Sequence, residues 1–371
     1  MRILLACALL ATLAGCVQPP PATPASPPST DASALAFAPA VTVDAARIAS
    51  EPSIKLAANG WLFISAPTGE VKYATRPQDA TVEADKGIGQ SAVWRSKDNG
   101  ATWQFLAGLG PAPYRSAYPG GGDSDLAVDG KGTIYLTDQA GLAVEDVSVS
   151  HDGGNTWDGG SALGSGEPDV DRMWLWPDPQ APGTVYMNFD HNDLSIDVSK
   201  TTDGGNTWTA TKAADFSNSP GPIVATPSVV AFTAFDGDKI TFVHSEDKGA
   251  TWKHDEIGKG HGKIVDLFPG TVADTAGSLY VSWLEQAGNG TALAYVFSKD
   301  SGKTWSAPRI LDQRPGTAVF LWSAAGAPGR LGFSWYDAPD PGKEWMERAA
   351  VVTGADTDAP TVRDAQVSDK P

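Results

Sequence analysis

The chain has 371 residues, 41% of them hydrophobic and 19% charged, with a formal net charge of −17. That balance fits a soluble globular protein long enough to bury a sizeable core. It excludes nucleic acid as a partner, because phosphate binding needs a basic patch, and it excludes electrostatic docking on anionic lipid. The first sixteen residues hold one basic residue, a short apolar run and small residues before a cysteine, the pattern of a secretory signal. The run is too short to span a bilayer. The only two cysteines are Cys7 and Cys16, so cleavage before Cys16 leaves a mature chain with no structural disulfide. Residues 16–36 are rich in Pro, Ala, Ser and Thr and read as a disordered tether. At ~3.1 Å per residue it would reach roughly 60 Å.

From residue 37 onward the chain reads as short strands in groups of about fifty residues. An eight-residue phrase, Ser/Thr-x-Asp-x-Gly-x-Thr-Trp, punctuates them five times, at Asp98, Asp152, Asp203, Asp247 and Asp300. Each residue type suits a tight turn. The Asp carboxylate accepts backbone N–H bonds, the Gly takes a positive φ, and Thr and Trp open the next strand. The Trp also brings a large apolar plate to bury between sheets. A repeat of this length made of short strands predicts an all-β six-bladed propeller of four-stranded antiparallel blades over residues 37–371. The phrase falls between the third and fourth strand of each of the first five blades. The sixth has no such phrase. Its outer strand is expected from Phe37–Asp44, which would join the chain ends, with Ala359–Val367 as the other choice.

Strand parity puts the five phrases on one face and the second-to-third-strand loops and blade crossovers on the other. Polar side chains collect on the second face. Arg115, Asp123 and Asp125 lie on or beside the first crossover, Asp169, Asp171 and Arg172 on the next, and Asp190 and His191 in the third blade's loop, with Asp138, His261, Asp266 and Asp337 on other loops. Buried charges need partners or a ligand. Three readings stay open for this cluster: pairing between blades, a cation or sugar site built on carboxylates, and a pair of opposed glycosidase carboxylates. No cofactor is required; calcium is the ion that the Asp-x-Asp spacing would suit.

The repeated phrase resembles the Asp-box, or bacterial neuraminidase repeat, and the chain from about residue 50 to 353 resembles the sialidase-like Asp-box propellers. That resemblance implies that Asp98, Asp152, Asp203, Asp247 and Asp300 are structural turn residues away from the active face. Leu13-Ala14-Gly15-Cys16 resembles the bacterial lipobox, which implies lipidation at Cys16 and a monomer held on the extracytoplasmic side of a bacterial envelope by its N-terminal lipid. Sialidases clamp a substrate carboxylate with three arginines and use a Tyr nucleophile paired with a Glu. Here Arg47-Ile48-Ala49 lacks the proline of the family's first arginine phrase, and the contexts of Arg115, Arg172 and Arg314 do not match. The candidates that remain are Tyr336, Glu285 and Arg314, with no Glu assignable beside Tyr336. Phrases 121–129 and 169–175 also resemble exported bacterial Asp-box proteins without a firm activity. The expected function is therefore binding of a glycan or protein, with an exo-acting glycoside hydrolase of sialidase type as the alternative.

Overall fold

The computed structural model describes residues 35–45, 49–67, 91–106, 123–140, 144–163, 170–217, 219–339 and 344–368. Cys16, the signal 1–15, most of the tether, Arg115 and Asp169 lie outside the described residues. Two compact units are present, one from Val41 to Lys259 and one from Gly260 onward. Each is built from four-stranded antiparallel sheets whose strands follow one another in space as they do in sequence.

The first unit holds four sheets. They are β1 (Ser53–Leu56) to β4 (Gln104–Leu106) with β2 (Leu62–Pro67) and β3 (Ser91–Ser96); then β5 (Ser124–Val128), β6 (Ile134–Ala140), β7 (Val144–Ser150) and β8 (Asp158–Leu163). The third sheet is β9 (Val170–Pro177), β10 (Val185–His191), β11 (Ile196–Thr201) and β12 (Thr209–Ala214), and the fourth is β13 (Val224–Ala225), β14 (Val230–Asp236), β15 (Lys239–Ser245) and β16 (Lys253–Lys259). The second unit holds β17 (Gly270–Ala273), β18 (Leu279–Ala287), β19 (Gly290–Ser298) and β20 (Arg309–Pro315), then β21 (Thr317–Ala325), β22 (Leu331–Ala338), β23 (Met346–Thr353) and β24 (Thr361–Gln366). Six up-and-down blades of four strands, with no helix among the described residues, make this the six-bladed propeller class.

Sequence pattern explains the layering. The second strand of a blade is covered on both faces, so both its parities are apolar. In β10, Val185, Met187 and Phe189 pack toward the second sheet, whereas Tyr186 packs toward the fourth. Outer strands such as β16 (KHDEIGK) are charged and exposed, which blunts edge-to-edge pairing. The turn tryptophans sit at the seams: Trp157 is buried between the first and second sheets, and Trp208 and Trp252 cover the next two.

One expectation is corrected. The sixth blade is completed by β24, which pairs with β23 from Thr353↔Thr361 to Arg348↔Gln366, and not by Phe37–Asp44. A hairpin strand closes a loop of only seven residues, 354–360, whereas a strand from the N-terminus would have to close one of about three hundred residues. Pro39 also lacks the N–H that a ladder needs. Asp44 instead accepts the indole N–H of Trp94 at 2.9 Å.

Candidate functional site

The five repeated turns use up their own polar atoms. In the first, Ser96 Oγ accepts the Gly100 N–H at 2.9 Å and donates to Asp98 Oδ1 at 2.8 Å. Asp98 also accepts the Thr102 N–H at 2.8 Å and the Thr102 hydroxyl at 2.5 Å. The same bonds recur at Asp152, Asp203, Asp247 and Asp300. Hydrogen bonds from the threonines hold Asp152, Asp203 and Asp300 down at about 2, and lower Asp98 and Asp247 as well. These carboxylates are ionised acceptors with their lone pairs committed, which is unsuited to moving protons. The turn needs two left-handed residues in succession. Asn99, Lys248 and Ser301 fill the first position where Gly153 and Gly204 do in the other two, and the invariable Gly follows.

At the other end of the strands, the first unit gathers acidic groups from three sheets. Asp125 is part of the framework. Its Oδ1 takes Ser53 Oγ at 2.5 Å and Lys55 Nζ at 2.9 Å, and its Oδ2 takes the Leu175 N–H at 2.8 Å. It thereby ties β1, β5 and β9 together. Lys55 supplies its counter-charge.

Asp123, Asp171, Asp190 and Arg172 form a second group. Between Asn188 and Asp190 of β10 the register with β9 shifts, because Arg172 and Met173 together stand opposite Phe189. This β-bulge carries Arg172 in a left-handed conformation, φ 56°. Glu51, at the entry to β1, is also left-handed, φ 46°. The Arg172 N–H donates to Asp171 Oδ1 at 2.8 Å. Gln139 Nε2 donates to the Val170 carbonyl at 2.6 Å and reaches Asp171 Oδ1 at 3.3 Å. Burial, followed by the hydrogen bond and charge of Glu51, pushes Asp123 up to about 7. Burial, followed by the charge of Asp171, takes Asp190 to about 7. Asp171 is raised by burial and by Asp123. The Arg172 guanidinium opposes all three shifts without cancelling them. Asp190 is 4% exposed, and its Oδ1 is buried with no hydrogen-bond partner among the described residues.

His191 stands apart from this group. It belongs to the β10–β11 hairpin, where its ring meets Phe189 edge-on and its Nε2 lies 3.5 Å from Asp197. No three His, Cys, Asp or Glu side chains among the described residues converge to hold a metal ion.

In the second unit, Glu285, Arg314 and Tyr336 keep separate company. Glu285 is buried in β18, taking the Trp283 indole N–H at 2.9 Å and the His261 N–H at 3.0 Å, with His261 Nδ1 3.2 Å away. Asp266 accepts the N–H groups of Leu284 and Leu267 and bonds to the Leu321 backbone. Arg314 is held by Asp312 and Asp364, both at 2.5 Å, and Asp364 also takes Arg348 at 2.9 Å. Arg314, Asp312 and Asp337 line a narrow cavity of about 10 Å³, room for one water. Tyr336 stands directly opposite Glu347 in the β22–β23 ladder and packs edge-on against Phe320. Glu347 is not among the sequence candidates, because its place opposite Tyr336 depends on the β22–β23 register, which the sequence does not fix.

No family model and no curated relative matches the chain. Among solved structures it is similar to an α-L-arabinofuranosidase from Fusarium graminearum, seen with an iminosugar inhibitor, at 16% identity and TM-score 0.54 over 83% of this chain and 94% of that one. It is similar to the Aleuria aurantia lectin in complex with Fucalpha1-6GlcNAc, at 12% identity and TM-score 0.52 over 86% and 96%. AofleA from Arthrobotrys oligospora gives 11% identity and TM-score 0.50 over 88% of each chain. At these identities the likeness is one of fold.

Proposed function

We propose that this chain is a glycan-binding propeller, and that the end of the strands opposite the repeated turns recognises the sugar through Asp123, Asp171, Asp190 and Arg172. The observation that carries this reading is Asp190 Oδ1, buried and without a hydrogen-bond donor among the described residues, near the end of β10. Sugar hydroxyls are donors, and planar carboxylates flanked by one guanidinium are suited to fixing their orientation. Lectin and glycosidase propellers of similar fold are consistent with a saccharide ligand. Arg314 and Arg348 are held by carboxylates, which disfavours a clamp for a substrate carboxylate at their positions. On this reading the chain is an Asp-box propeller of sialidase-like type, a monomer tethered through a lipid on Cys16 and residues 16–36 to the extracytoplasmic side of a bacterial envelope.

A second reading, exo-acting glycoside hydrolysis, is favoured by one observation. Asp123 and Asp190, both near 7, would hold protons in neutral solution as a general acid must. One experiment separates the two. The chain from residue 37 is titrated with methyl α-L-fucoside, L-arabinose and sialyllactose, and assayed on fluorogenic glycosides of the same sugars. Saturable binding that Asp190→Asn weakens about tenfold, with no turnover, is the expected result. Turnover lost in Asp190→Asn would establish the hydrolase instead. No binding and no turnover would reject both.

A further inference from the structure

We propose that the second unit carries a separate site for a primary ammonium group, formed by Glu347 beside the exposed ring of Tyr336, which itself packs on Phe320. Three observations converge there. Glu347 is 8% exposed, and its Oε2 is buried with no hydrogen-bond partner among the described residues. Its backbone is satisfied, since the Glu347 N–H donates to Ser368 Oγ at 2.9 Å and its carbonyl accepts from Val367 at 2.8 Å, so the side-chain oxygen alone is left over. Around it the apolar surface is open. Phe320 is 55% exposed, Tyr336 44%, and Trp345, two residues before Glu347, 42%. Phe320 reaches this position by a left-handed residue, φ 56°, where β21 slips register against β22 between Val319 and Trp322. A bulky side chain in that conformation costs energy unless the surroundings hold it there.

The chemistry selects the ligand. A buried carboxyl beside an exposed aromatic ring attracts a cation, by charge at Glu347 and by the ring quadrupole of Tyr336. The unfilled Oε2 lone pairs accept a hydrogen bond, which a primary ammonium can donate together with its charge and a quaternary one cannot. Among the described residues no arginine answers Glu347: the neighbouring Arg348 is drawn to Asp364 and Asp337. Burial alone pushes the Glu347 carboxyl up to about 7, so a bound cation would stabilise its ionised form. The same charge repels an anionic sugar, which opposes the use of Tyr336 against a sialoside. This site does not depend on the reading of Asp190, which belongs to the other unit.

The test is a calorimetric titration of the folded chain with glucosamine, N-acetylglucosamine, ethanolamine and choline, each also followed by indole and tyrosyl NMR shifts. Glucosamine and ethanolamine are expected to saturate one site, with their acetylated and trimethylated counterparts about tenfold weaker or more. Glu347→Gln, which preserves shape, should abolish the preference for the amine. Tyr336→Leu, at an exposed position, should weaken both amines while leaving the unfolding temperature unchanged. Equal binding of glucosamine and N-acetylglucosamine, amine affinity within about twofold in Glu347→Gln, or no saturable binding by either amine would each overturn the proposal.

Discussion

Gly204 and Gly205 are neighbours in one turn, both with left-handed backbone, yet they answer to different constraints. A Cβ on Gly204 meets nothing within 4 Å, whereas one on Gly205 would lie 2.6 Å from Val149 Cγ2 in the preceding sheet. The first glycine is there for its backbone and the second for close approach as well. Gly204→Asn should therefore cost under about 0.5 kcal/mol, because Asn tolerates the left-handed region and already occupies that place as Asn99. Gly205→Ala should cost about 2–4 kcal/mol, adding backbone strain to overpacking. Urea midpoints of the two variants check the difference. Asp125 belongs to the same scale. Asp125→Ala would leave the Leu175 N–H without its acceptor and Lys55 without its counter-charge, and should cost about 3–5 kcal/mol by the same measurement.

At the scale of strands, the repeated phrase and the alternation of apolar residues were enough to place the blades, because turn chemistry and two-sided burial are local properties. Which segment closes the sixth blade is a competition between two loops of very different length, and composition alone did not decide it. The bulges were also invisible. Nothing in Val170-Asp171-Arg172-Met173 announces that Arg172 turns left-handed, since the cause is the register imposed by β10. For the same reason the acidic residues could be gathered on one end from strand parity, but Asp125 could not be separated from Asp123 and Asp171. The two are told apart by who donates to them. Closure by β24 makes a direct prediction. Deleting residues 359–371 should expose the β23 edge, lower the unfolding temperature and promote aggregation, whereas deleting residues 1–36 should leave the unfolding temperature unchanged. Differential scanning calorimetry of the C-terminal truncation distinguishes this from closure by Phe37–Asp44, which both truncations leave in place.

For the molecule as a whole, two populations of carboxylates pull stability in opposite directions with pH. The turn aspartates, held at about 2, stabilise the fold above about pH 4 and lose that contribution as pH falls through 2. Asp123, Asp190, Asp266 and Glu347, raised to about 7, act the other way. Their contribution is complete below about pH 4 and is lost as pH rises through 7, where each must ionise while buried. The unfolding temperature should peak near pH 4–5 and decline toward pH 8. Asp190→Asn and Glu347→Gln should each flatten that decline. A net charge of −17 adds repulsion on the alkaline side that salt will screen, leaving the buried part in place.

The central claim is a division of labour along the strands, with turns that build the fold at one end and recognition at the other. Binding isotherms for methyl α-L-fucoside, L-arabinose and sialyllactose, measured on the parent chain, Asp190→Asn and Asp203→Asn, test it most directly. One of these sugars is expected to bind the parent chain, with that affinity lost in Asp190→Asn and kept, at some cost in stability, in Asp203→Asn. Loss of binding in Asp203→Asn with full affinity in Asp190→Asn would contradict it.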